Sequence, residues 1–289
     1  MKKTINTFQV DAFTEIPFRG NSAGVVFSDD LNKDEMQLIA REFNVSETAF
    51  ISKSNEADFN LQWFTPKVEV KLCGHATIAA IQCLLQQGAI QNNSIFTFKT
   101  LSGILRASTK DGLHSLSLPI PELKIFQGNK SEIIKALNGE NIINTEKFPF
   151  ILDDGGYLYI QISSLNDLMN IKPDFKQLLE LSEARNGYDG FTLFTTETID
   201  KENNAHLRFF TPYYGIDEDP VTGSANGPLL LVLRKLGLIE DNTENKIYTF
   251  EQGDVLNRKG RIHVSFSPSK NELNISGKAV TVFRGEFSF

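Results

Sequence analysis

The chain has little with which to build a covalent framework. Its 289 residues include two cysteines, Cys73 and Cys83, ten positions apart. That spacing suits neither a disulfide-stapled fold nor a cysteine metal site, and it leads to the expectation of a reducing, cytoplasmic setting. Long apolar runs are equally scarce. The longest, near 76–85 and 228–233, fall short of the roughly 20 residues that cross a bilayer, so no membrane partner is expected. The opening MKKTINTFQV is too polar for a secretory h-region. Excess positive charge is missing too. A formal net charge of −7 is the wrong sign for general binding to nucleic acid, which needs a basic footprint. The four histidines show no HxxxH or HxH spacing, so no metal is expected. No G-x-G-x-x-G opens a helix after a strand, and Gly187-Tyr188-Asp189-Gly190 is too short to replace it. No nucleotide or other cofactor is therefore expected. A G-x-S-x-G nucleophile elbow is also lacking.

What is present is material for a core. The chain is 40% hydrophobic and 22% charged, a globular composition with room for one large domain or two medium ones. It also says something twice. Trp63-Phe64-Thr65-Pro66 recurs as Phe209-Phe210-Thr211-Pro212, 146 positions on. Gly74-His75-Ala76 follows the first copy and Gly223-Ser224-Ala225 the second. Each triplet opens an apolar, helix-length run, ATIAAIQCLLQQG and ANGPLLLVLRKLG, that ends in a glycine suited to a helix C′ position. These matched features predict a duplicated, two-half architecture.

Around the two runs the periodicity is mostly that of strands. Alternating segments bounded by turn residues occur at 5–13, 49–53, 58–65, 95–100, 103–108 and 113–118, and again at 157–163, 191–196, 206–211, 246–252 and 261–267. Helical period appears at 32–43, where Asn32 and Glu35 form a capping-box pair, and at 131–138 and 175–185. The repeated helices are apolar nearly all round, which implies burial on every side. The expectation is an α+β fold of two similar halves, each a barrel-like, mostly antiparallel sheet wrapped around a central buried helix. Residues 1–118 form the first half and 119–277 the second, with a strand at 278–289 returning to the first. The site is expected between the halves, where the buried helices begin. Helix N-termini offer unpaired N–H groups and partial positive charge for a carboxylate, and Gly74 and Gly223 let a ligand approach the backbone.

Several residues compete for chemistry there, each with a plainer alternative. Glu47, in Asn44-Val45-Ser46-Glu47-Thr48, sits among apolar residues that raise a carboxyl toward the range of a general base; alternatively it is a loop glutamate facing water. His75 is a proton-transfer group or hydrogen-bond donor, or a histidine bonded to a nearby carbonyl. Asp219 lies in Asp217-Glu218-Asp219-Pro220 before a helix, where acidic residues and proline often serve only to start it. Ser224 is a carboxylate-binding hydroxyl or a small helix-start residue. Cys73 at a helix N-terminus has the setting of a reactive thiol, but its counterpart in the second half is Thr222, which disfavours a symmetric two-thiol mechanism. Cys83 reads as packing, and His114, His206 and His263 as structural.

In sequence order, a set of motifs runs Val10-Asp11-Ala12-Phe13 with Arg19-Gly20-Asn21, Asn44-Val45-Ser46-Glu47-Thr48, Phe64-Thr65-Pro66 and Leu72-Cys73-Gly74-His75-Ala76-Thr77. Arg208-Phe209-Phe210, Asp219-Pro220-Val221-Thr222-Gly223-Ser224-Ala225, Gln252-Gly253 and Gly277-Lys278-Ala279-Val280 complete the pattern. In these residues the chain resembles the phenazine-biosynthesis isomerase (PhzF-like) family, whose fold is that of diaminopimelate epimerase. The resemblance implies cofactor-independent isomerisation of a small carboxylated substrate. Glu47 would take a proton from an activated carbon and return it elsewhere; His75 and Asp219 would steer amino or hydroxyl groups. Ser224, Gly74 and Gly223, with Ser46, Cys73 and Thr222 close by, would bind substrate. It also implies a homodimer. Two departures stand out: Ser22 replaces a common proline, and Pro228 falls inside the second helix, where a kink or a short first turn is expected. Two other chemistries remain open, a Cys73-based epimerase or dehydratase of an amino-acid derivative and a non-catalytic binding or interaction protein.

Overall fold

The computed structural model describes residues 3–184, 187–239, 244 and 246–289. Two compact units divide the chain. The first runs through Leu118 and takes back Arg258–Ile262 and Asn274–Phe289; the second holds Pro119–Asn257 and His263–Leu273.

In the first unit β1 (Thr4–Ala12) pairs antiparallel with β2 (Asn21–Phe27). Helix α1 (Lys33–Phe43) crosses over to β3 (Glu47–Ser52), which lies parallel to β2. Strand β4 (Phe59–Phe64) returns antiparallel, with β5 (Glu69–Val70) on it. A second crossover through α2 (Gly74–Gln86) sets β6 (Ser94–Thr100) parallel to β4. Strands β7 (Gly103–Lys110) and β8 (Leu113–Leu118) follow antiparallel.

The second unit begins with β9 (Leu123–Ile125), α3 (Lys130–Ala136) and β10 (Ile151–Asp153). Strand β11 (Tyr157–Gln161) then leads through α4 (Leu165–Asn170) and α5 (Phe175–Glu183) to β12 (Gly190–Thr195), parallel to β11. Strand β13 (Ala205–Thr211) pairs antiparallel with β12, and β14 (Ile216–Asp219) folds back on β13. Helix α6 (Gly223–Lys235) crosses over to β15 (Ile247–Gln252), parallel to β13. The order strand, antiparallel strand, buried helix, parallel strand thus occurs once in each unit, as the repeated motif predicts. Strands β16 (Gly260–Ser267), β17 (Glu272–Gly277) and β18 (Ala279–Ser288) close the chain. In the first unit β17 pairs with β8 and β18 with β1.

Helix α2 touches β8, near one end of the first unit's strand order, and β1 and β18 at the other. Only a curled sheet permits both. Ten of its thirteen residues are buried, from Gly74 to Ile81 together with Cys83 and Leu84, as its apolar circumference requires. On the sheet's other face α1 buries Met36, Ile39 and Ala40 against Val26, Phe50 and Phe64. Strands β2 and β3 are therefore covered on both faces, which explains their continuous rather than alternating burial.

Local signals mark the helix ends. Asn32 accepts from Glu35 N–H while the Glu35 carboxylate accepts from Asn32 N–H, the capping box expected for α1. Both buried helices end in the same Schellman turn. Gly88 (φ 69°) and Gly237 (φ 67°) are left-handed, Ala89 N–H bonds Leu84 C=O at 3.0 Å, and Leu238 N–H bonds Leu233 C=O at 2.9 Å. Pro228 does not shorten α6, which runs unbroken from Gly223 to Lys235; the ring removes one N–H and leaves the rest of the ladder to hold. The 175–185 helix is observed as Phe175–Glu183, and Arg185 lies outside the described residues. Among the described residues no helix is long and apolar enough to cross a membrane.

Candidate active site

Two clusters, one in each unit, gather the residues singled out above. In the first, α1 ends at Asn44, whose left-handed conformation (φ 52°, ψ 37°) is one asparagine tolerates well. Three residues later, past the half-buried Ser46, the chain enters β3 at Glu47, opposite Ala23 of β2. Cys73 is the N-cap of α2 and His75 its second residue. These starts bring Glu47 Oε2 within 3.4 Å of His75 Nε2. On the ring's other side Nδ1 lies 3.5 Å from Cys73 Sγ.

The imidazole is 4% exposed, and burial pushes its pKa down to about 3, because charging it would cost its hydration. At neutral pH the ring is uncharged. Nε2 forms no hydrogen bond within the protein, so its 3.4 Å approach to Glu47 is proximity rather than a made bond. Glu47 keeps 16% of its side chain exposed. Ligating atoms of Glu47, Cys73 and His75 all lie within 4.8 Å of one another, close enough to ask whether they could hold a cation. The ring, however, turns Nε2 to Glu47 and Nδ1 to Cys73, so no single ring nitrogen faces both neighbours.

In the second cluster the N-cap of α6 is Thr222. Its hydroxyl donates to Asp219 Oδ2 at 2.5 Å, and Asp219, the last residue of β14, is buried. The amide of Gln252 ties this corner together: Oε1 accepts from Thr222 N–H and Asn226 Nδ2, both at 2.8 Å, while Nε2 donates to Asp219 C=O at 2.9 Å. Ser224, at the place His75 takes in α2, lies 3.3 Å from the Tyr157 hydroxyl. Burial pushes the Tyr157 phenol upward, so it stays protonated.

The two helix starts share a design. Neither Cys73 nor Thr222 caps its helix with its side chain, and neither first turn carries an acidic residue. Instead, a side chain four residues on donates back to the cap carbonyl: Thr77 Oγ1 to Cys73 C=O at 2.5 Å and Asn226 Nδ2 to Thr222 C=O at 2.8 Å. No acidic side chain therefore offsets the positive end of either helix within its first turn.

Cys83 is buried, with its thiol pushed up to about 12 by desolvation. His114, His206 and His263 are hydrogen-bonded within strands, to Gln82 and Thr109, to Glu251, and to Thr249 respectively. A cavity of about 590 Å³, walled by Ile5, Phe27, Ile51, Phe59, Leu84 and Ala89, opens in the first unit. It lies at the ends of β2, β3 and α2, away from their starts, and includes none of the candidate residues.

Three participants escaped sequence reasoning as site residues: Gln252, Asn226 and Tyr157. Gln252 stood within a matched motif, which was the available signal. Asn226 was visible only as a neighbour of Pro228, and a tyrosine on an alternating strand carries no mark of what its hydroxyl meets.

The fold is shared with solved structures whose sequences differ widely from this one. The chain superposes on a hydroxyproline epimerase of Agrobacterium vitis with a TM-score of 0.60 over 99% of this chain and 93% of that one, at 12% identity, a likeness of fold alone. A crystal structure of a phenazine biosynthesis protein of the PhzF family from Bacillus anthracis is much nearer, with a TM-score of 0.88, 30% identity and 99% of each chain covered. The uncharacterized isomerase YfhB of Bacillus subtilis is 34% identical over 96% of this chain and 97% of its own. The model of the phenazine biosynthesis-like family (PhzC-PhzF) matches residues 10–285. The chain belongs to that family and is an enzyme of the isomerase class.

Proposed function

We propose that the enzyme moves a proton within a small carboxylated substrate bearing an amino or hydroxyl group, with Glu47 as general base. The observation that carries this is the pairing of Glu47 with a buried, neutral His75 at 3.4 Å, at the start of a helix whose positive end has no acidic neighbour in its first turn. Glu47 would remove a proton from a carbon activated by an adjacent unsaturated or carboxyl group, and return that proton to another carbon. No atom is gained or lost, so no cofactor is called for. The Nε2 side of His75 would bond an oxygen on which negative charge develops. Asp219 would suit a polar substituent, and the N–H groups at either helix start, around Gly74 or around Gly223 with Ser224, would suit a carboxylate.

The test is deuterium uptake followed by NMR. Wild type and Glu47→Gln are incubated in D2O with carboxylated amino acids, hydroxyamino acids and dihydro-aromatic acids. Exchange or rearrangement of one compound by wild type, abolished in Glu47→Gln, is the expected result; exchange that survives the substitution overturns the role of Glu47. One observation favours a second chemistry: Cys73 Sγ stands 3.5 Å from His75 Nδ1, as a thiol and its base would. A thiol base would lose exchange in Cys73→Ser and keep it in Glu47→Gln.

A further inference from the structure

Cys73 is left without a task if Glu47 is the base. It does not cap α2 with its side chain, and its thiol is buried against a ring rather than open to solvent. The geometry points to one. We propose that Cys73 is a positioning residue whose S–H donates to His75 Nδ1, holding the imidazole in the tautomer that carries its proton on Nε2, so that His75 serves as a neutral donor to a substrate carbonyl or carboxyl oxygen. This rests on the proposed function in one respect only, that Glu47 is ionised in the resting enzyme.

A neutral imidazole has one N–H and one lone pair. An ionised carboxylate can only accept, so the nitrogen 3.4 Å from Glu47 is the one that bears hydrogen. The lone pair then belongs to Nδ1 and faces Sγ at 3.5 Å, and the S–H is the donor that can meet it. The resulting Nε2–H forms no hydrogen bond although the ring is 4% exposed. A buried donor left in that state beside a base is poised for an oxygen that arrives with the substrate. The backbone that carries the thiol is held in place: the Cys73 carbonyl accepts from Thr77 Oγ1 and Thr77 N–H at 2.5 and 3.2 Å. The second unit supports the assignment independently. There the same cap position holds Thr222, which also declines to cap and instead donates to a functional side chain, Asp219 Oδ2, at 2.5 Å. In both helices the cap residue supplies a short-range proton donor to a neighbour in the candidate site.

The first measurement needs no substrate. Long-range 1H–15N correlation spectra of the 15N-labelled enzyme at pH 7, with the ring signals assigned by their loss in His75→Gln, report which nitrogen is protonated. The expected spectrum has a protonated Nε2 and a hydrogen-bonded, unprotonated Nδ1. In Cys73→Ala the Nδ1 resonance moves toward that of a free lone pair and the two tautomers mix; Cys73→Ser, which keeps a donor, restores the wild-type pattern. With a compound found by deuterium uptake, Cys73→Ala lowers kcat by about tenfold with little change in KM, as loss of an orienting partner does, and Cys73→Ser recovers most of it. A proton on Nδ1 in wild type overturns the proposal, and so does a Cys73→Ala spectrum identical to wild type. Failure of the Glu47 assignment appears separately, as exchange persisting in Glu47→Gln.

Discussion

His75 and Glu47 meet at 3.4 Å because a helix and a strand begin at the same place in the first unit. Burial keeps the imidazole neutral, so the two side chains are not an ion pair. That difference bears on the proposed role of Glu47. A salt bridge would hold Glu47 as a poor base, whereas a neutral neighbour leaves its basicity available.

Replacing Glu47 tests that claim most directly. Glu47→Gln keeps shape and hydrogen bonding but removes the base, and exchange should fall by about 10² to 10⁴, the span usual for a general base. Glu47→Asp should retain a measurable fraction, since the carboxylate withdraws by one methylene. Initial rates of deuterium uptake, with thermal unfolding as the control for folding, separate these outcomes.

Acid should destabilise the fold through its buried histidines. In the native state His75 titrates near 3 and His114 near 4, against 6.5 when unfolded. Between those limits the unfolded chain binds more protons, so stability falls as pH drops below 6.5. Each ring contributes about 2 kcal/mol of loss between pH 6.5 and 5. Urea midpoints at pH 5 and 7 should differ less in His75→Gln than in wild type; equal differences would exclude His75 as a source.

Asp153 should act in the opposite direction. Desolvation raises its carboxyl to about 6 from 3.8, despite hydrogen bonds from Tyr157 N–H and the Tyr159 hydroxyl. With the native pKa above the unfolded one, its contribution is complete below pH 3.8 and is lost as pH rises through 6, a change of about 3 kcal/mol. Comparing urea unfolding of wild type and Asp153→Asn from pH 5 to 8 should show wild type losing more stability; parallel curves would contradict it.

Matched helix ends predict matched costs. A Cβ at Gly88 or Gly237 would meet nothing within 4 Å, so alanine brings only the penalty of a left-handed backbone, about 1 kcal/mol at each site. Chemical denaturation of the two single variants should give similar losses, near-additive when combined.

Gln252 holds the start of α6 with both ends of its amide. Leucine there would leave the Thr222 N–H and the Asp219 carbonyl without these partners, at about 1–3 kcal/mol for each buried group. Gln252→Glu, which keeps the acceptor and forfeits the donor, should be the milder change. Thermal unfolding ranks the two, and a harmless leucine would mean the corner is held by something else.

Much of this molecule was legible along the chain because the deciding physics was local. The capping box at Asn32 and Glu35 and the left-handed glycines after both buried helices depend on a few neighbouring residues. An apolar circumference foretold the burial of α2 and α6. Other elements were too short or too evenly buried to show a period: β5 has two residues, β9 three, and β2 is covered on both faces. The candidate residues were nameable from their motifs, but their states were not. Glu47 reaches His75 only through the parallel pairing of β2 with β3 and the packing of α2, and the neutral charge of His75 comes from burial by residues distant in sequence. The roles of Tyr157, Asn226 and Gln252 likewise came from tertiary structure, since a hydrogen bond depends on distance in space and the chain records only order.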